Sequence, residues 1–196
     1  LDTSEIRVWG LTQSVMNHVT DLGKPLDRIR NNTIRISAGD DGTVYFDVST
    51  FPRFGELSHY SREHMVRLAR NRGGNPDDPH RRDPLDFVLW QPSLPDEPAW
   101  RAPFGVGRPG WHVECAAIAL HHLGPTIDVQ GGGSDLVFPH HEMSVSQAHV
   151  AAGRTPCARA YVHAGMVGLH GEKMSKSKGN LVFVHALRNA GHDPLA

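Results

Sequence analysis

A β-branched run that closes in three glycines, Ile127-Asp128-Val129-Gln130-Gly131-Gly132-Gly133, limits the fold of this chain more than any other stretch. Ser134-Asp135 follows, and Pro139 to Ala152 has the length of a helix. Strand, glycines, then helix is where an open α/β sheet brings a ligand to the strand ends and to free backbone N–H groups. A glycine triplet can equally be a plain loop. The surroundings favour the first reading: Asp86 to Trp90 is a short apolar run, Gly110 to Leu123 reads as a helix, and Tyr161 to Val167 reads as another strand. Alternation of this kind predicts a parallel sheet in an open α/β fold.

The first part of the chain is less regular. Apolar residues at Ile6, Trp9, Val15, Met16 and Val19 recur at helical spacing over about 4–22, with Ser4 as N-cap and a stop at Gly23-Lys24-Pro25. Thr43 to Val48 is β-branched and aromatic after Gly39-Asp40-Asp41-Gly42, which predicts a strand leaving a tight turn. Ser61 to Arg72 predicts a helix stopped by Gly73-Gly74. The stretch Asn75 to Pro84, rich in Pro, Asp, His and Arg, reads as an internal boundary.

Two groups of residues carry chemistry. The segment Gly171-Glu172-Lys173-Met174-Ser175-Lys176-Ser177-Lys178-Gly179-Asn180 sets lysines and serines close together between glycines. Ammonium groups and hydroxyls in one turn can neutralise the charge that builds on a polyphosphate under attack, although the same composition suits a solvated turn. The second group is Trp111-His112-Val113-Glu114-Cys115 with His140-His141-Glu142, offering a thiolate and two imidazoles of the types that bind zinc. No CxxC pair is present, so a zinc site would need a further ligand from elsewhere. On residue types alone, Cys115 reads equally as an ordinary buried cysteine.

Composition narrows the setting. The chain has 196 residues, 39% hydrophobic and 21% charged, as expected of globular protein. No apolar run approaches the roughly 18 residues that span a bilayer, and Leu1-Asp2-Thr3-Ser4-Glu5 lacks the basic-then-apolar order of a secretory signal. A cytoplasmic protein is expected, with Cys115 and Cys157 reduced. A formal net charge of −1 gives no general attraction for nucleic acid, and the basic clusters at Arg67 to Arg72 and His80 to Arg82 are short and solvated in this reading.

Gly107-Arg108-Pro109-Gly110-Trp111-His112-Val113-Glu114-Cys115, Gly131-Gly132-Gly133-Ser134-Asp135-Leu136, Phe138-Pro139-His140-His141-Glu142 and the lysine loop stand in that order along the chain. Together they resemble the motifs of cysteine-activating class I aminoacyl-tRNA synthetases, and the likeness runs from about residue 43 to 188. The resemblance implies an α/β fold, namely the second half of the Rossmann-like nucleotide-binding fold of class I synthetases with a connecting insertion. Residues 1–83 would be the end of the first half-fold and the insertion, 84–185 the second half with the lysine loop, and 186–196 the start of a helical region. It also implies Cys115 and His140 as zinc ligands and Trp111 as a wall of the cysteine pocket. Gly133, Ser134 and Asp135 would lie against the adenylate, and Val167 would present backbone to the adenine. Lys173 and Lys176, with Met174, Ser175 and Ser177 between and beside them, would hold phosphates.

Departures divide the family's branches. Cysteinyl-tRNA synthetases carry a glutamate ligand where this chain has Ser144, and histidine before the glycine triplet where it has Gln130. Both departures resemble the mycothiol-pathway cysteine ligases, as does Asn71-Arg72-Gly73-Gly74-Asn75-Pro76, similar to a Glu-Arg-Gly-Gly-Asp-Pro signature with both acids replaced. That branch implies ATP with Mg²⁺, L-cysteine and glucosaminyl-inositol as substrates, cysteinyl adenylate as intermediate, no transfer RNA, and a monomer. The family's His-Ile-Gly-His-like run and its first zinc cysteine precede the matched region, so the 196 residues are expected to be a piece that is inactive alone. A cysteinyl-tRNA synthetase and a noncatalytic zinc- or nucleotide-binding module stay open as alternatives.

Overall fold

The computed structural model describes residues 36–38, 41–102, 105–152, 156–175 and 178–193. The helix expected over 4–22 lies outside them. Strands β1 (Ile36–Ala38), β2 (Val44–Phe46), β3 (Phe87–Gln91), β4 (Trp100–Ala102) and β5 (Gly105–Pro109) form one sheet in the order β1-β2-β3-β5-β4. Every pairing in it is antiparallel. The parallel arrangement expected from alternation therefore does not extend to this half of the chain. The β1–β2 and β4–β5 connections are far too short for a parallel crossover, which needs a dozen or more residues.

Local chemistry sets the element ends. The strand expected over 43–48 stops at Phe46 because Asp47 caps a single 3-10 turn, Val48–Thr50, its carboxylate accepting from the Ser49 N–H at 3.1 Å. Helix α1 (Arg62–Asn71) starts at the Ser61 cap, whose hydroxyl accepts from the His64 N–H. It stops where Gly73 takes φ +85°, open to glycine and costly for other residues. A Cβ on Gly74 would stand 2.9 Å from the Ala69 carbonyl oxygen.

Helix α2 (Trp111–Leu123), strand β6 (Ile127–Gly133), helix α3 (Glu142–Ala152) and strand β7 (Ala158–Ala164) carry the remaining architecture. β6 and β7 pair in parallel from Ile127↔Ala158 to Gly133↔Ala164, with α3 as the crossover. The glycine triplet is thus the end of a strand rather than a loop beyond it. The helix expected from Pro139 begins at Glu142, after a 3-10 turn (Ser134–Leu136) and a π-turn (Val137–His141), because Phe138 adopts extended dihedrals and interrupts the helical path.

One core unites the two halves of the chain. Phe46 and Phe87 stack at 4.6 Å, and Leu85, Leu89, Trp90, Val113, Phe138 and Met143 are buried beside them. The stretch 75–84 packs against this core: the Tyr45 hydroxyl donates to Asp78 at 2.8 Å, and the buried Asp86 carboxylate accepts from the N–H groups of Val48 and Asp83. A longer tie comes from Glu142. Its buried carboxylate accepts from the Gly55 and Ser58 N–H groups, each at 2.8 Å. Replacing Glu142 by alanine leaves both donors without a protein partner and is expected to cost about 3 kcal/mol. Urea unfolding of the full-length protein checks this, since an unchanged midpoint would mean the two amides are satisfied without the carboxylate.

Candidate active site

The site is assembled where β5, α2 and the end of β6 meet. Gly107 and Gly110 permit the meeting: a Cβ at 107 would lie 2.2 Å from the Gln91 carbonyl oxygen, and one at 110 would lie 2.0 Å from that of Val88. Gly110 also donates its N–H to the Leu89 oxygen at 2.9 Å. The chain can therefore leave β5 flush against β3 and enter α2 at once. Trp111 stands at the first position of α2, exposed, and Cys115 follows one turn along the same helix face.

The opposite wall comes from the turns after β6. A Cβ on Gly132 would meet the His141 ring at 2.8 Å, and one on Gly133 would meet an Asp135 carboxylate oxygen at 2.6 Å. The His141 ring thus stands where a side chain at 132 would go, and the Asp135 carboxylate where one at 133 would go. Trp111, Asp135 and His140 line a cavity of about 460 Å³ together with Leu68, Asn71 and Arg72 of the α1 end. The Trp111 and His140 rings stack at 5.1 Å. Ser134 leads into this wall, and Gly133 precedes it.

Four histidines form two hydrogen-bonded pairs. His112 Nδ1 faces His140 Nδ1 at 2.9 Å, and His141 Nδ1 faces His163 Nε2 at 2.7 Å, with Gln130 Nε2 at 3.4 Å from His141 Nε2. Burial pushes the pKa of His112 down to about 3 and that of His141 to about 4, and lowers that of His140. Neutral imidazoles have one donor and one acceptor nitrogen, which is what each pair needs. His140 Nδ1 is engaged with His112, leaving Nε2 for a ligand. Ser144 donates its hydroxyl to the His112 carbonyl at 3.3 Å and so joins α3 to α2.

Cys115 and His140 have donor chemistry that suits zinc, a thiol and a neutral imidazole. Among the described residues, no group of three or more His, Cys, Asp or Glu stands together as a metal site. The fit is one of type, with two donors. Cys115 is exposed at the helix surface, yet partial desolvation of its thiol and the neighbouring Glu114 hold its pKa above the usual range.

The lysine loop stands on a hairpin of β8 (Gly168–Leu169) and β9 (Glu172–Lys173), turned by His170 and Gly171 at φ +54° and +79°. Two successive positive φ angles suit a tight two-residue hairpin turn. Beyond it Ser175 donates its N–H to the Asn180 side chain at 2.9 Å, its hydroxyl accepts from the Lys178 N–H, and Lys178 pairs with Glu172. Met174 is half-buried and Val167 is exposed in the turn after β7. Lys176 and Ser177 lie outside the described residues, as does the Lys173 side chain. A short helix, α4 (Val184–Asn189), follows.

Fold and motif order define a class I synthetase catalytic unit: residues 1–194 match the family model for the tRNA synthetases class I (C) catalytic domain, and the chain belongs to that family. It is similar to the L-cysteine:1D-myo-inositol 2-amino-2-deoxy-alpha-D-glucopyranoside ligase of Kribbella flavida, 63% identical over 156 residues, 80% of this chain and 38% of that protein. The ligase of the same name from Thermobispora bispora is 55% identical over 183 residues, 93% of this chain and 45% of that protein. That from Thermomonospora curvata is 60% identical over 156 residues, 80% and 38%. The chain spans less than half the length of these relatives. Among the described residues, no helix is long and apolar enough to cross a membrane.

Proposed function

We propose that this chain supplies the cysteine-side half of an ATP-dependent ligase that activates L-cysteine as cysteinyl adenylate and joins it to the amine of glucosaminyl-inositol, releasing pyrophosphate and AMP. The convergence of Trp111, Asp135 and His140 on one cavity carries the proposal, supported by relatives named for this ligase. Residues 84–185 would be the second half of the nucleotide fold, and 1–83 the end of the first half with the insertion. The protein would work in the cytoplasm as a monomer.

In the first step the cysteine carboxylate attacks the α-phosphorus of ATP, carried with Mg²⁺. Asp135 holds the substrate ammonium or the ribose hydroxyls, Trp111 walls the side-chain pocket, and Gly133 and Ser134 border the adenylate. Val167 offers backbone to the adenine. Cys115 and His140 would hold zinc, which when bound supplies affinity for a thiolate that a hydroxyl lacks, so that cysteine is separated from serine. Lys173 and Lys176 neutralise the departing pyrophosphate, with Met174, Ser175 and Ser177 shaping the loop; no covalent enzyme intermediate is needed. In the second step the sugar amine displaces AMP.

The deciding assay gives the full-length protein ATP, Mg²⁺ and cysteine, with glucosaminyl-inositol and transfer RNA as competing acceptors. Cysteinyl-glucosaminyl-inositol is the expected product, and charged transfer RNA would overturn the acceptor assignment. Replacing Lys176 by alanine is expected to slow cysteine-dependent ATP–pyrophosphate exchange by about 100- to 1000-fold, the scale of losing one transition-state donor, while cysteine binding measured by calorimetry persists. A wild-type exchange rate would remove Lys176 from the phosphate site.

A further inference from the structure

The run Asn71-Arg72-Gly73-Gly74 has no part in the reaction as described above, yet it borders the cavity. Arg72 follows the last residue of α1, and its backbone N–H and that of Gly74 both donate to the Ala69 oxygen, so the glycine stop fixes where the arginine emerges. From there its guanidinium Nη1 crosses to the facing wall and donates to the backbone oxygens of Asp135 and Phe138. Phe138, at φ −142° and ψ 137°, has left the helical path, so its carbonyl is displaced from the regular ladder. The two carbonyls bracket residues 135–138, two positions short of His140. Arg72, Trp111 and Pro139 also line a second cavity of about 210 Å³.

We infer that Arg72 is a positioning residue: it ties the turn between β6 and α3 to the end of α1 and so sets where the Asp135 carboxylate and the His140 imidazole stand relative to Trp111. The glycines after it serve this strut by ending α1 at the right place, which gives Arg72, Gly73 and Gly74 one physical role. Removing the guanidinium takes away this tie between the end of α1 and the turns that carry Asp135 and His140.

The inference rests on the proposed reaction for its kinetic readout, so a second readout is independent of activity. In the full-length protein, Arg72→Ala is expected to lower kcat of cysteine-dependent ATP–pyrophosphate exchange by about 100-fold, the scale of misplacing reacting groups by about 1 Å. KM for ATP should stay within about twofold, since the phosphate loop is not touched. Arg72→Lys, which keeps charge but loses the planar fork, should fall between the two, and added methylguanidinium should restore part of the alanine variant's rate. Amide hydrogen exchange in peptides covering 134–141 should quicken in Arg72→Ala, with the sheet peptides unchanged. If wild-type protein exchanges no label with pyrophosphate, the proposed function fails, and the peptide exchange alone decides the strut. Wild-type kinetics with unchanged protection in 134–141 would overturn the inference, as would a uniform loss of stability with no rescue by methylguanidinium.

Discussion

Replacing Gly110 by alanine is expected to destabilise the protein by about 3 kcal/mol or more, the upper range for forcing atoms into closed packing. The added Cβ would lie 2.0 Å from the Val88 carbonyl oxygen and 2.8 Å from its carbon, and both belong to backbone. Moving the glycine away breaks its N–H bond to Leu89. The same displacement carries off the first turn of α2, with Trp111 on it, so activity should fall further than the unfolded fraction explains. Gly131→Ala is the control: its Cβ meets no atom within 4 Å, and its midpoint in urea should stay close to wild type. Equal midpoints for the two variants would mean that β3 and β5 can separate at no cost.

In the full-length protein, Cys115→Ala is expected to remove bound zinc and to reduce cysteine-dependent ATP–pyrophosphate exchange by 100-fold or more, on the order of the largest losses seen when groups that merely support a metal ligand are changed. Cys115→Ser should not recover the metal, because an alcohol oxygen is a harder and weaker donor than a thiolate. Emission spectroscopy of the dialysed variants gives metal per chain, and the exchange assay gives the rate. Undiminished zinc in Cys115→Ala would take this thiol out of the site. Zinc lost with exchange intact would separate the metal from cysteine activation.

Local chemistry explains which parts were legible in the sequence. The ends of α1 and α2 follow from Ser61, Gly73 and Gly110, whose effects act within a turn of the residue itself. The β6 strand was readable from Ile127 and Val129, whereas its extension through the glycines comes from pairing with β7, a partner about thirty residues away. The antiparallel sheet was not readable, because β2 pairs with β3 across some forty residues and each strand is too short to show alternation. Strand β4 lies among prolines that argue for a loop. At the site, Trp111, Asp135 and His140 line one cavity. Arg72 and Glu142 stood inside motifs, but what each one holds was not readable, since the groups they serve lie 63 to 87 positions away.

The bonds from Glu142 to Gly55 and Ser58 also order events in time. Each closes a loop of more than eighty residues. Such closures lose much chain entropy before they return any binding, so long-range contacts slow folding and depend on local elements already being in place. The irregular segment around 51–60 gains its anchor only when α3 has docked, whereas α1 and the β8–β9 hairpin can form from near neighbours. The turns that carry Asp135 and His140 immediately precede Glu142, so the cavity is expected to take shape late, after the local helices, and a chain that stalled earlier would have its helices without its site.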